Sequence, residues 1–155
     1  TASSFISTGT GLWTMSTNNQ TWTGTGQKTM AANLLISGAI TVSYTAADLF
    51  TGTIDGNNAS STLRMLTGST LLYQNTTMPM ATNGVLDTNT NANTFKYNKA
   101  GNQDVKGGTY RTIEFGGSGN KTLQGNVIIN TTAGGSQSTT GTAVVVLNGF
   151  TITTI

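Results

Sequence analysis

Apolar residues along this chain gather in short runs that soon give way to Gly, Asn and Thr. Residues 39–44 (AITVSY) alternate β-branched and polar positions, 62–66 (TLRML) and 70–73 (TLLY) repeat the habit, and 143–147 (AVVVL) and 151–155 (TITTI) close the chain. Period-two alternation over a few residues, bounded by turn formers, predicts many short strands. The exceptions are AADLF (46–50), which predicts a helical turn, and Asp55-Gly56, which predicts a turn after it. The opening segment, 1–19, alternates only in part around Phe5, Leu12, Trp13 and Met15, and reads as a strand or cap.

The pattern also recurs. Gly24 to Ser37, GTGQKTMAANLLIS, matches Gly117 to Asn130, GSGNKTLQGNVIIN, 93 positions later, with Gly24, Gly26, Lys28 and Asn33 falling on Gly117, Gly119, Lys121 and Asn126. TLRMLTGSTLLY (62–73) matches AVVVLNGFTITT (143–154), 81 positions later. A shorter echo sets YNKAGNQDVKG (97–107) against FGGSGNKTLQG (115–125), 18 positions apart. An interval of about 18 residues is that of one coil of a parallel β-solenoid, in which each coil buries its apolar face only against its neighbours. The expected architecture is therefore all-β: a single domain of about eight coils, roughly 40 Å tall at about 4.8 Å per coil. It divides into a cap (1–19), a repeat module (20–73), an irregular connecting coil around Pro79 (74–93) and a second module (94–155), with a mobile loop expected at 131–142. A β-sandwich pilin completed by donor-strand exchange through TASSFIST is the alternative.

Composition narrows the function. With 8% charged residues, one Pro and no Cys, the chain has neither a disulfide framework nor thiolate ligands, and its richness in Thr, Val, Ile and Gly argues against disorder. The net charge of +2 comes from scattered cations, whereas a nucleic-acid surface needs them gathered among aromatic platforms. The longest apolar run, Ala143 to Leu147, is too short to span a bilayer. The chain begins at Thr1 with no charged-then-apolar leader, so any secretory signal is expected to have been removed.

The motifs favour structural roles over chemical ones. Gly24 to Thr29 has the glycines and Lys-Thr of a phosphate loop, but one residue too many before Lys28, and the second copy runs into the strand-like NVIIN. Gly24, Gly26, Gly117 and Gly119 are expected to turn corners, with Lys28 and Lys121 solvated beside them. Asn33 and Asn126 are expected as corner residues or stacked amides rather than ligand contacts. GGSGNK (116–121) resembles a calcium-binding nonapeptide, yet Lys121 stands where the carboxylate belongs. There is no His, and Asp48, Asp55, Asp87, Asp104 and Glu114 are dispersed, so no catalytic residue, metal or cofactor is expected.

The carriers aromatic-x-G-x-G-x-KT, N-φ-φ-I and VLNGFTI resemble the Gly/Asn/Thr-rich parallel β-helix repeats of secreted bacterial surface proteins, the haemagglutinin-like and autotransporter-like adhesins. That resemblance implies a right-handed β-helix outside the cell or on its surface, serving adhesion or assembly. The strongly β-forming end of the chain carries no blunting Lys, Pro or covering element. The expected function is a structural subunit that stacks head to tail into a filament. Its stacking surface would comprise Phe5, Ile6 and Trp13 at one end and Val144, Val146, Leu147, Phe150, Ile152 and Ile155 at the other. The alternative is an adhesive module that binds surface glycans on Trp13, Trp22, Tyr73 or Tyr97.

Overall fold

The computed structural model describes residues 6–7, 9–24 and 26–155; Phe5 lies outside them. The chain winds as a three-faced parallel solenoid. Its first turn carries β1 (Ile6–Ser7), β2 (Leu12–Met15) and β3 (Gln20–Trp22), its second β4 (Thr29–Met30), β5 (Asn33–Ile36) and β6 (Thr41–Tyr44), and its third β7 (Ala47–Phe50), β8 (Ile54–Gly56) and β9 (Thr62–Met65). The next carries only β10 (Thr70–Tyr73) and β11 (Val85–Asp87). Then come β12 (Thr94–Tyr97), β13 (Gln103–Val105) and β14 (Gly108–Tyr110), followed by β15 (Thr112–Phe115), β16 (Ser118–Leu123) and β17 (Val127–Ile129). The last turn holds β18 (Ser136–Thr139), β19 (Thr142–Val146) and β20 (Ile152–Thr154).

Face 1 is one seven-stranded sheet, β1-β4-β7-β10-β12-β15-β18. Face 2 is β2-β5-β8 and then β13-β16-β19; face 3 is β3-β6-β9-β11 and then β14-β17-β20, joined by a parallel bridge from Thr88 to Tyr110. Every strand pairing among the described residues is parallel, so the all-β solenoid holds and the sandwich alternative falls. The expected eight coils become seven stacked rungs, which is about six full turns from β1 to β18. Steps along face 1 are 23 residues (Ile6 onto Thr29), 20 (Thr29 onto Leu49), 23 (Ala47 onto Thr70), 24 (Thr70 onto Thr94), 18 (Thr94 onto Thr112) and 24 (Thr112 onto Ser136). The 18-residue echo is a true register, but it marks the shortest turn.

Alternation explains the core. Within β5, β6, β9, β10, β12 and β15 every second residue is buried, and parallel register stacks those positions into columns. On face 1, Phe50, Tyr73, Tyr97 and Phe115 lie directly over one another, with ring centroids 6.4 Å apart for both Tyr73–Tyr97 and Tyr97–Phe115. Such aromatic pairs contribute about 0.5–1.5 kcal/mol beyond their buried area.

Four local expectations change. The segment Ala47–Phe50 is strand β7, not a helical turn, because its in-facing Asp48 is satisfied inside the solenoid and Phe50 joins the aromatic column. Asp55-Gly56 lies within β8, and the chain turns just after it. The expected loop at 131–142 is a 3-10 turn (Thr131–Ala133) followed by β18, which pairs with β15 despite its wholly polar sequence. Lys28 and Lys121 are buried instead of solvated. The connecting stretch around Pro79 lacks strands from 74 to 84, where Lys106 Nζ pins the Met80 carbonyl at 2.7 Å.

Candidate functional site

Three features stand out: the outermost described strands on either side of the stack, a set of buried polar clusters, and a groove at one corner.

At the far end β18, β19 and β20 each pair on one side only among the described residues. A parallel strand sends both backbone groups of alternate residues to the same neighbour. Thr151 O accepts from Val127 N–H and Ile155 N–H donates to Ile129 O, so Ile152 and Thr154 turn theirs to the open side. The same alternation leaves Gln137 and Thr139 open on β18, since Ser136 and Thr140 bond Arg111 and Phe115. The expected stacking residues divide accordingly. Phe150 and Ile152 pack against the core at this end. Val144 and Val146 pair with Asn120 and Thr122 in the solvent-facing columns of face 2; the in-facing residue is Val145, over Lys121, which the run VVV did not distinguish by itself. Leu147 and Ile155 are exposed, and the Ile155 carbonyl is engaged by Thr131 and Thr132 N–H.

At the near end, β1, β2 and β3 are likewise the outermost strands. Ile6 pairs with Thr29 through β1. Trp13 stacks in register on Leu34, Met15 on Ile36 and Trp22 on Tyr44. Trp13 and Trp22 are 6.3 Å apart and border a concavity of about 380 Å³ with Met15 and Lys28. Trp22 Nε1 donates to Asp48 Oδ2 at 2.9 Å, while Lys28 brings both its backbone N–H (2.9 Å) and its ammonium (3.4 Å) to Oδ1.

The aligned lysine is satisfied differently. Lys121, fully buried in β16, donates its ammonium to the carbonyls of Lys99 (2.7 Å), Gly101 (3.0 Å) and Ser118 (3.0 Å). The ammonium thus takes up these backbone carbonyl oxygens itself. Gly119, at φ 69°, stacks on Gly101 so closely that a Cβ would sit 2.6 Å from the Gly101 carbonyl carbon. Gly24, Gly26 and Gly117 share its positive φ. The corner asparagines bond the backbone of the following turn: Asn33 Oδ1 accepts from Thr53 N–H at 2.9 Å and Asn126 Oδ1 from Thr151 N–H at 3.0 Å.

Tyr73 and Tyr97 cannot be glycan platforms, because both are fully buried in the aromatic column. Tyr97 Oη accepts from Lys106 N–H at 3.1 Å and lies 3.0 Å from Tyr110 Oη, which donates to Lys106 O at 2.7 Å. Tyr110 has spent its proton, so Tyr97 donates to Tyr110. Burial, with the neighbouring phenol, pushes the Tyr97 pKa far above its ordinary value. Tyr73 Oη is buried with no partner.

The corner groove, unmarked by any sequence motif, is bounded by Gly68 to Thr70, Ala92 to Thr94, Arg111-Thr112 and Ala133-Gly134, and encloses about 270 Å³. No group of three or more His, Cys, Asp or Glu side chains is placed to hold a metal among the described residues, and no helix among them is long and apolar enough to cross a membrane. Comparison with known protein families, with curated proteins and with solved structures finds no match.

Proposed function

We propose that this chain is a structural subunit that assembles head to tail by strand addition, the last turn of one copy pairing with the first turn of the next, in a filament outside the cell or on its surface. The observation that supports this reading is that, among the described residues, β1, β2 and β3 on one side and β18, β19 and β20 on the other each pair with one neighbour only, all of them in parallel. Because all strands run the same way around the axis, head-to-tail stacking continues three parallel sheets, whereas a two-fold stack would set strands antiparallel. In such a stack the bulky in-facing Trp13 and Met15 of face 2 meet the smaller Val145, and Trp22 of face 3 meets Ile152. A contact of this kind is heterologous and does not close, and backbone bonds supply its affinity.

Negative-stain imaging, fibre diffraction and sedimentation of the 155-residue chain test it. The wild-type chain is expected to form fibres with a repeat of about 4.8 Å along the axis. Thr139→Pro together with Thr154→Pro, which removes two open-edge donors, is expected to leave a folded monomer by circular dichroism. A wild-type chain that stays monomeric at high concentration overturns the proposal.

A further inference from the structure

We infer that the corner groove at Arg111 is a binding site for a carboxylate-bearing sugar. The groove exists because turn length varies. Between faces 3 and 1 the chain spends six residues after β11 (88–93) and six after β17 (130–135), but only Arg111 between β14 and β15. The one-residue corner is recessed between two long ones, which leaves about 270 Å³ in front of it, a size near the lower end for small-ligand sites.

The polar groups in that recess are incompletely used. Arg111 donates one N–H to the Ala133 carbonyl and has no carboxylate partner among the described residues, whereas Lys28, Arg64 and Lys96 each have one. A guanidinium has five donors in a planar fork that matches a carboxylate. Asn93, 5% exposed, fixes its amide through Nδ2, which donates to Asn91 O at 2.7 Å and Thr88 O at 3.3 Å. Its Oδ1 has no partner among the described residues but is sealed from solvent, so Asn93 shapes the wall and does not itself reach a ligand. Thr70, Thr94 and Thr112 stand in strict register along the wall, at about 4.8 Å intervals.

The groove thus offers one forked cation and a row of hydroxyls, with Ala92 and Ala133 beside them. A single positive charge suits a monoanion better than a phosphate dianion, and the row of hydroxyls calls for a ligand rich in O–H groups. The groove lies on the side of the stack, so the site does not depend on the assembly proposal.

Calorimetric titration of the full chain with sodium glucuronate, with glucose and with sodium chloride at matched ionic strength tests the assignment. Glucuronate is expected to bind, and glucose at least about tenfold more weakly. Arg111→Gln is expected to weaken glucuronate binding at least about tenfold, which is about 1.4 kcal/mol. Thr94→Val, which keeps the shape of the wall, is expected to weaken it by a smaller factor. The assignment is overturned if glucuronate gives no heat beyond the chloride control, if glucose binds as tightly, or if Arg111→Gln binds unchanged.

Discussion

Asn130 Nδ2 donates to Asn89 Oδ1 at 2.9 Å, although 41 residues separate them. The two belong to corners two turns apart, and they meet only because the corner between them is the single residue Arg111. Their bond closes over the short turn and joins the corners that flank the groove. Asn130 Oδ1 is also occupied, accepting from Thr132 Oγ1 (2.8 Å) and Ala133 N–H (3.3 Å).

Asn130→Asp therefore separates the two roles, keeping the capping oxygen while replacing the donor with an acceptor aimed at Asn89. The unfolding free energy is expected to fall by about 1 kcal/mol. Asn89→Ala in the same chain should recover part of that loss by removing the opposed oxygen. Equal urea midpoints for wild type and Asn130→Asp would show that the bridge contributes nothing.

The stacked-coil architecture was legible because alternation and turn residues are local signals, and the 18-residue echo of Tyr97 against Phe115 is a real register. The longer repeats were misleading as guides to geometry. Leu34 to Ile36 lie on face 2 while their match, 127–129, lies on face 3; Thr62 to Met65 lie on face 3 and their match, 143–146, on face 2. What recurs is a corner followed by a strand, usable on any face, so repeats give no count of turns. Buried polar partners were illegible for a related reason. Asp48 meets Lys28 across 20 residues and Trp22 across 26, spacings set by turn lengths that no motif records. The Arg111 groove depends on the same unrecorded quantity.

Two tyrosines of one column should respond oppositely to loss of the hydroxyl. Tyr97→Phe strips the acceptor from Lys106 N–H and the donor from Tyr110, and is expected to cost about 1–3 kcal/mol. Tyr73→Phe removes a buried hydroxyl that has no partner, so stability should stay level or rise. Chemical denaturation of both variants decides this, and a loss in Tyr73→Phe equal to that in Tyr97→Phe would contradict the assigned network.

The two aligned lysines should also differ. Lys28→Met leaves the fully buried Asp48 carboxylate without its counter-charge, although Trp22 and the backbone N–H remain; losing one partner of a buried pair costs about 3–5 kcal/mol. Lys121→Met uncovers three carbonyls but strands no charge, and is expected to cost about 1–3 kcal/mol. Thermal or urea unfolding of the two single variants orders them. The reverse order would place the larger penalty on the carbonyl cage instead of the ion pair.

Acid should act through Asp87. Burial opposes its ionisation, but Arg64 Nε at 2.8 Å, the Thr90 hydroxyl and the N–H groups of Asn89 and Thr90 outweigh it, so its pKa is held below the ordinary 3.8. A carboxyl with a depressed pKa in the folded state contributes stability that is complete above its unfolded value and is lost as pH falls through the folded one. The unfolding midpoint is therefore expected to decline below about pH 4, where the unfolded chain takes up the proton first. Asp87→Asn should lower stability at neutral pH and flatten the acid limb, because Arg64 then lacks its partner at every pH. If wild type and Asp87→Asn lose stability in parallel between pH 5 and 2, the acid limb arises from other carboxyls, and the Arg64–Asp87 pair does not tie β9 to β11 as the structure places it.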